Sequence, residues 1–186
     1  MSRDDSKVIV SELVNNCILP EQDNCSEDGC NIQLDINNSV IFRPDDLSDN
    51  KERGDCAVFF PDPQNNESFG RGVPIDSNNS GTYGIDYVAA IELKSTVKKR
   101  GKIKSQINGV IDFIANLLNK VSDPIWNINC LCLVVHQSSN VPLRKKPIKF
   151  EKHIQGRKKR FRIIGINNNK EISSILSRLD NPGTPI

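Results

Sequence analysis

The sequence has few histidines and aromatic residues, and it has no long apolar run. Only 2 of its 186 residues are His, and aromatic residues make up 5%. This scarcity argues against an aromatic stacking platform for single-stranded nucleic acid. No run approaches the length of a membrane-spanning helix, and the N-terminus has no apolar segment typical of a signal peptide. We therefore expect a cytoplasmic protein with no membrane partner.

The six cysteines do not form a recognisable zinc motif. Cys25 and Cys30 have a Cys-x₄-Cys spacing, with Cys17 nearby. A structural zinc site usually needs two such pairs, or one pair with histidines, and His136 and His153 do not form that pair. We expect free thiols in a reducing compartment, and the spacing leaves metal binding by the first three cysteines open.

Charge is balanced over the whole chain but divided between its halves. The net charge is +2, yet residues 1–93 contain 6 Lys/Arg and 18 Asp/Glu, whereas residues 94–186 contain 19 and 5. Much of the basic excess lies in three clusters, at 98–104, 144–146 and 157–162. Clustered Lys and Arg attract polyanions through phosphate contacts, so the second half favours a nucleic-acid partner. Taken singly, each cluster is better explained as a solvated surface.

The periodicity of apolar residues predicts a single α/β domain over residues 1–186. The predicted helices lie at 6–19, 102–121 and 170–179, and the predicted strands lie at 55–60, 85–94, 129–136 and 160–166. Residues 32–42 are predicted as one strand or as two short strands broken at 37–38. Residues 21–31 are predicted as a loop, 61–84 as a flexible insertion and 181–186 as a frayed tail. The strand after the 102–121 helix is expected to run parallel to its neighbour. The result is a mixed central sheet flanked by helices.

Charged residues stand at one end of two of these strands. Asp55 opens the apolar run that ends at Phe60, and Glu92 and Lys94 close the run that begins at Tyr87. In an antiparallel hairpin Asp55 faces Glu92 and Lys94, which project from one face because they are two residues apart. Two carboxylates and a lysine favour a Mg²⁺ site and phosphodiester cleavage. The alternative is an exposed Glu92–Lys94 ion pair of little energetic consequence.

With this pattern the chain resembles the PD-(D/E)XK nuclease superfamily, also called restriction endonuclease-like. The resemblance covers the αβββαβ element order over residues 6–136, with Asp55 at the start of the second core strand and Glu92-Leu93-Lys94 at the end of the third. It implies a restriction endonuclease-like core. It also implies that Asp55, Glu92 and the Leu93 carbonyl bind Mg²⁺, for which Mn²⁺ substitutes. Lys94 would orient the attacking water and stabilise charge on the phosphate.

The sequence departs from the superfamily pattern around the first acidic residue. Glycine, not proline, precedes it. Two literal Pro-Asp pairs are predicted to lie away from the site, because Pro44-Asp45 precedes the Asp55 strand in a charged turn and Pro61-Asp62 lies past the far end of that strand. Asp86 lies six residues before Glu92, roughly 20 Å away on an extended strand, and is not predicted to share its metal.

The resemblance also implies supporting residues outside the hairpin. Gln106 matches a glutamine found in the RecB and lambda-exonuclease types, although Val110 stands where those types have tyrosine. Glu12 matches an acidic residue of the first helix, and a solvated helix position explains it equally well. The residues predicted to bind nucleic acid are Lys98, Lys99, Arg100, Lys102, Lys104, Arg157, Lys158, Lys159 and Arg160.

The function that the resemblance implies is a Mg²⁺-dependent endonuclease of restriction or defence type that acts on duplex DNA. A homodimer would supply the two sites needed to cut both strands. The residues leave several alternatives open: RNA as substrate, a structure-specific nuclease that resolves junctions, a non-catalytic nucleic-acid-binding protein with a degenerate site, or a protein whose acidic N-terminal half docks a basic partner.

Overall fold

The structure is a computed structural model that describes residues 8–9, 14–27, 29–36, 39–49, 51–61, 84–94, 100–121, 128–137, 147–154 and 156–179. It belongs to the α/β class. The strands are β1 (Val8–Ile9), β2 (Cys25–Glu27), β3 (Cys30–Gln33), β4 (Val40–Phe42), β5 (Cys56–Phe60), β6 (Gly84–Ile85), β7 (Tyr87–Lys94), β8 (Asn129–His136), β9 (Ile148–Ile154), β10 (Arg157–Asn167) and β11 (Lys170–Glu171). The helices are α1 (Arg100–Lys120), α2 (Ile172–Leu179) and a short 3₁₀ helix at Pro44–Asp46.

The central sheet has six strands in the order β4-β5-β7-β8-β10-β9. The first three form an antiparallel meander. After α1 crosses over, β8 pairs with β7 in parallel, β10 pairs with β8 in parallel, and β9 closes the edge antiparallel to β10. The predicted antiparallel hairpin and the predicted parallel strand after the helix are both confirmed.

Helix α1 covers one face of this sheet, as its apolar spacing predicts. Ile103, Ile107, Val110 and Ile114 recur every three or four residues and are buried. They belong to one apolar cluster with Val88 and other inward residues of the sheet. The opposite face packs against β2, β3 and α2, which contribute to a second cluster. The central strands are therefore buried on both faces, which explains their nearly continuous apolar sequences.

The N-terminal region differs from its prediction. A small sheet in the order β11-β3-β2 includes residues predicted as the 21–31 loop, because a β-hairpin turns at Gly29, whose φ is +74°. Of the two alternatives for residues 32–42, the structure has two short strands, since β3 and β4 join different sheets. Residues 14–16 are helical, as predicted. The prediction of a helix at 6–19 is wrong at Val8–Ile9, because these residues form β1 and pair with β6. β-branched residues of this kind favour strands.

Strand β9 was not predicted, although Ile148 and Phe150 already alternate with exposed residues, as in a strand with one buried face. β10 is longer than its predicted 160–166, and β11 occupies the start of the predicted 170–179 helix. The predicted insertion lies outside the described residues except at its two ends, as does the 181–186 tail. Among the described helices, none is long and apolar enough to cross a membrane.

A disulfide corrects the expectation that the cysteines are free thiols. Cys25 of β2 is bonded to Cys56 of β5, and both are about 1% exposed. Sequence spacing could not reveal this pair because it depends on how β2 packs over the central sheet. The free cysteines among the described residues are Cys17, Cys30, Cys130 and Cys132. The disulfide excludes Cys25 as a thiolate metal ligand while the bond is intact.

Candidate functional site

The hairpin of β5 and β7 brings Asp55 and Glu92 together at one end of the central sheet. Cys56 pairs with Ile91, so Asp55 lies opposite Glu92. The backbone N–H of Leu93 donates a hydrogen bond to Asp55 Oδ2. Asp55 is 5% exposed and Glu92 is fully buried. The predicted pairing is confirmed, and the alternative of a merely exposed ion pair is wrong for Glu92.

Lys94 completes this group from the same strand. Its Nζ forms an ion pair with Glu92 Oε1, and its side chain is 31% exposed whereas that of Glu92 is fully buried. Glu92 Oε2 has no hydrogen-bond partner in the described part of the chain. One oxygen of a buried carboxylate is thus neutralised by a lysine, and the other remains available to a ligand.

Burial and mutual repulsion shift the protonation of these carboxyl groups. Burial, the charge of Glu92 and a hydrogen bond with Glu27 raise the pKa of Asp55 to about 8, against a lowering effect of the Leu93 N–H. Burial also raises the pKa of Glu92 despite its pairing with Lys94. Burial by itself would lower the pKa of Lys94, but Glu92 reverses this and the net pKa is raised. Lys94 is therefore an ammonium, and a cation beside Asp55 would favour the ionised carboxylate.

Two glycines allow the loop before β5 to approach this site. A Cβ atom at Gly54 would lie 2.9 Å from Glu92 Oε2 and 2.9 Å from the Ile91 carbonyl oxygen. A Cβ atom at Gly109 would clash with the backbone of Glu52, so α1 also contacts the loop closely. Sequence reasoning missed both positions, of which Gly54 lies against Glu92 and Gly109 against Glu52 and Arg53.

Gln106 anchors the same loop through its backbone. The Gly54 N–H donates to the Gln106 carbonyl oxygen at 3.0 Å. The Gln106 side chain is 8% exposed, and its Oε1 has no hydrogen-bond partner among the described residues. Gln106 lies beside the hairpin as predicted. Its carbonyl oxygen, by accepting from the Gly54 N–H, positions the loop that carries Asp55.

Two acidic residues outside the predicted site also approach Asp55. Glu27 ends β2 and Asp45 lies in the 3₁₀ helix, and each offers a carboxylate oxygen so that these atoms and one of Asp55 lie within 4.8 Å of one another. Arg43 Nη2 pairs with Glu27 at 2.9 Å and with Asp45 at 3.1 Å. The prediction that Pro44-Asp45 lies away from the site is wrong, because β4 runs antiparallel to β5 and returns the chain to Asp55.

The other excluded residues are placed differently. The Asp86 N–H bonds to the Phe60 carbonyl oxygen, at the far end of the hairpin from Asp55, so its exclusion is confirmed. Asp62 and Glu12 lie outside the described residues.

The predicted nucleic-acid-binding residues separate into two groups. Arg100, Lys102 and Lys104 are exposed in the first turns of α1, which begins six residues after Lys94. The chain between them, with Lys98 and Lys99, lies outside the described residues. Positive side chains at a helix N-terminus, together with the helix dipole, attract anions.

The second basic group lies away from the site. The parallel register places Arg160 level with Tyr87, at the opposite end of β7 from Glu92. The 157–160 segment therefore lies about 17 to 26 Å from Glu92 along the strand direction. Lys158 and Arg160 pair with Glu151, whereas Lys159 donates to the Ile128 carbonyl oxygen and burial lowers its pKa. This cluster therefore does not adjoin the acidic site, a placement that depends on strand direction, which was not known from the sequence.

His136 is a polar residue near the site that sequence reasoning did not use. It pairs in register with Lys94 on one side and with Asn167 on the other, and it is 1% exposed. These three residues form a polar row across β7, β8 and β10 at the same end as Asp55. Buried histidine at the end of a strand was the available signal.

Comparisons with protein-family models, curated proteins and solved structures found no match for this chain.

Proposed function

We propose that this chain is a divalent-metal-dependent phosphodiesterase that cleaves DNA, of restriction or defence type. The observation that carries the proposal is the buried Asp55–Glu92 pair with Lys94 beside it, at the end of two adjacent strands. The β4-β5-β7 meander followed by α1 and the parallel strand β8 agrees with the βββαβ part of the core that the PD-(D/E)XK resemblance implies, whereas the first helix of that core is replaced by a strand at Val8–Ile9. The topology supports the proposal independently of the three residues.

The donors at this site suit Mg²⁺ or Mn²⁺. Asp55, Glu92 and the Leu93 carbonyl offer only oxygen, which hard cations prefer. The unpartnered Oε2 of Glu92 would gain a ligand, and a bound cation would offset the burial and the charge of Glu92 that raise the pKa of Asp55. When bound, the metal would polarise the scissile phosphate and make a coordinated water more acidic.

The side chains then have separate roles. The carboxylates of Asp55 and Glu92 would hold and orient the metal. The Lys94 ammonium would donate hydrogen bonds to the phosphate oxygens on which negative charge develops. Its pairing with Glu92 fixes the position of Nζ. Arg100 and Lys102 would hold the phosphate backbone beside the site, whereas the ammonium of Lys104 lies 5.8 Å from the centre of the Phe150 ring on β9. Such backbone contacts favour a double-stranded substrate bound without base stacking.

Cleavage of a nucleic-acid panel tests this proposal. Supercoiled plasmid, branched DNA, single-stranded DNA and RNA are incubated with the wild type in Mg²⁺ or in EDTA, and with Glu92→Gln. We expect Mg²⁺-dependent cutting of DNA that Glu92→Gln abolishes, while Glu21→Gln, an exposed acidic control, cuts at the wild-type rate. Salt-dependent binding without cleavage of any substrate would instead favour a non-catalytic nucleic-acid-binding protein.

A further inference from the structure

Cys130 and Cys132 lie on the face of β8 that packs against α1. They are two residues apart on an extended strand, so their side chains project to the same side. Cys132 is buried in the apolar cluster beneath α1, and the half-buried Cys130 packs against that cluster. The two thiols share a hydrogen bond. Two sulfur donors thus meet outside the acidic site, about 7 to 13 Å along β8 from Val134, which pairs with Glu92.

The spacing of these thiols suits one bridging ion better than a disulfide. Cα atoms two residues apart on a strand are separated by about 6.6 Å, which is near the upper limit for a disulfide. Two sulfur atoms that each bind one metal ion at about 2.3 Å can be as far as about 4.6 Å apart. Hydrogen-bonded thiols already lie within that range, so binding an ion requires little movement of the strand.

Lys159 supplies a positive charge beside the two thiols. The register that pairs Ile163 with Cys132 continues to Lys159 beside Ile128, whose carbonyl oxygen accepts from the Lys159 Nζ at 3.1 Å. Ile163 belongs to the apolar cluster beneath α1, and Lys159 precedes it by four residues, so both project to that face. The Lys159 ammonium interacts electrostatically with both Cys130 and Cys132. A cation therefore lies where thiolate charge would develop.

Charge balance indicates which ion fits. The hydrogen bond with Cys130, burial and the charge of Cys130 raise the pKa of the Cys132 thiol, against a lowering effect of Lys159, so this thiol keeps its proton until a metal replaces it. Two thiols and one Cu⁺ give a dithiolate with one negative charge and release two protons to solvent. The Lys159 ammonium offsets that charge, whereas a Zn²⁺ dithiolate is neutral and gains nothing from it. Structural Zn²⁺ also takes four ligands.

We propose that Cys130 and Cys132 bind one soft monovalent cation, Cu⁺, as a two-coordinate dithiolate whose charge Lys159 offsets. Thiolates prefer soft ions such as Cu⁺, whereas the oxygen donors of Asp55 and Glu92 prefer hard ions, so the two sites do not compete for metal. The inference goes beyond the proposed nuclease activity and does not depend on it.

Competition for Cu⁺ against the coloured chelator bicinchoninate tests this assignment. The full chain, with its disulfide intact, is titrated without oxygen in ascorbate, which keeps copper reduced. We expect one Cu⁺ per wild-type chain and none in Cys130→Ala or Cys132→Ala. Cys17→Ala, which changes another half-buried cysteine beside the same apolar cluster, is the control and should bind as the wild type does. Lys159→Met should bind about tenfold more weakly, which corresponds to one pKa unit of one thiol.

X-ray absorption of copper in the wild type gives a check that does not depend on any variant being folded, and two sulfur neighbours are expected. Circular dichroism shows which variants are folded. Failure of the wild type to take Cu⁺ from the chelator would overturn the inference. So would uptake by folded Cys130→Ala or Cys132→Ala equal to that of the wild type, copper without two sulfur neighbours, or displacement of Cu⁺ by an equal concentration of Zn²⁺.

Discussion

Replacing Asp55 with asparagine should stabilise the metal-free protein at neutral pH. Burial and the neighbouring Glu92 raise the pKa of Asp55 from 3.8 to about 8. The unfolded chain releases this proton near pH 4, whereas the folded protein keeps it until about pH 8. Stability linked to Asp55 is therefore complete below pH 4 and is lost progressively as the pH rises to about 8.

The size of the effect follows from the same shift. Between pH 3.8 and pH 7 the loss is about 4 kcal/mol at 1.36 kcal/mol per pH unit. Relaxation and water near the partly exposed Glu27 and Asp45 reduce it, so we expect Asp55→Asn to gain about 2 kcal/mol at pH 7. Asparagine can still accept the Leu93 N–H through its side-chain oxygen.

Urea unfolding followed by circular dichroism in EDTA, from pH 4.5 to pH 8.5, measures this prediction. The wild type should lose stability as the pH rises, and Asp55→Asn should lose less. Asp46→Asn is the exposed control and should follow the wild type. If Asp55→Asn has the same pH dependence as the wild type and no greater stability at pH 7, the argument from burial is refuted. Mg²⁺ should stabilise the wild type more than Asp55→Asn, because it binds only the folded site.

Two further predictions concern how Asp55 is positioned. Gly54→Ala would place a Cβ 2.9 Å from Glu92 Oε2, so it should lower the free energy of unfolding by about 1–3 kcal/mol in urea titrations. Gly101→Ala, whose Cβ meets nothing within 4 Å, is the control and should not destabilise; equal losses would contradict the steric argument. Reduction of Cys25–Cys56 frees a cross-link between residues 31 apart and should cost about 2–4 kcal/mol, measured by thermal unfolding with and without dithiothreitol. A Cys25→Ser variant insensitive to the reductant checks the assignment, and an unchanged wild-type melting temperature would count against the bond.

Much of the central sheet could be predicted from local patterns. The 3–4 spacing of Ile103, Ile107 and Val110 identifies α1, and the apolar run to His136 identifies a strand buried on both faces. The Asp55–Glu92 pairing follows from two strands of an antiparallel hairpin whose charged ends coincide. These inferences need only neighbouring residues and one connection.

The remaining part of the site depends on contacts between distant segments. Glu27 reaches Asp55 because β2 packs across the sheet, and Asp45 reaches it because a short strand returns antiparallel to β5. Neither relation leaves a periodic signal in the sequence. The position of the 157–160 cluster could not be predicted for a related reason, since charge alone does not indicate which end of a strand lies at the site.

The most direct test of the central claim is the rate at which supercoiled plasmid is nicked in Mg²⁺ by the wild type and by Lys94→Ala. Lys120→Ala, an exposed lysine near the other end of α1, is the matched control. We expect EDTA-sensitive nicking by the wild type and Lys120→Ala, and none by Lys94→Ala, because the Lys94 ammonium lies beside Glu92. Equal nicking by the wild type and Lys94→Ala, or no nicking by the wild type, would contradict the central claim.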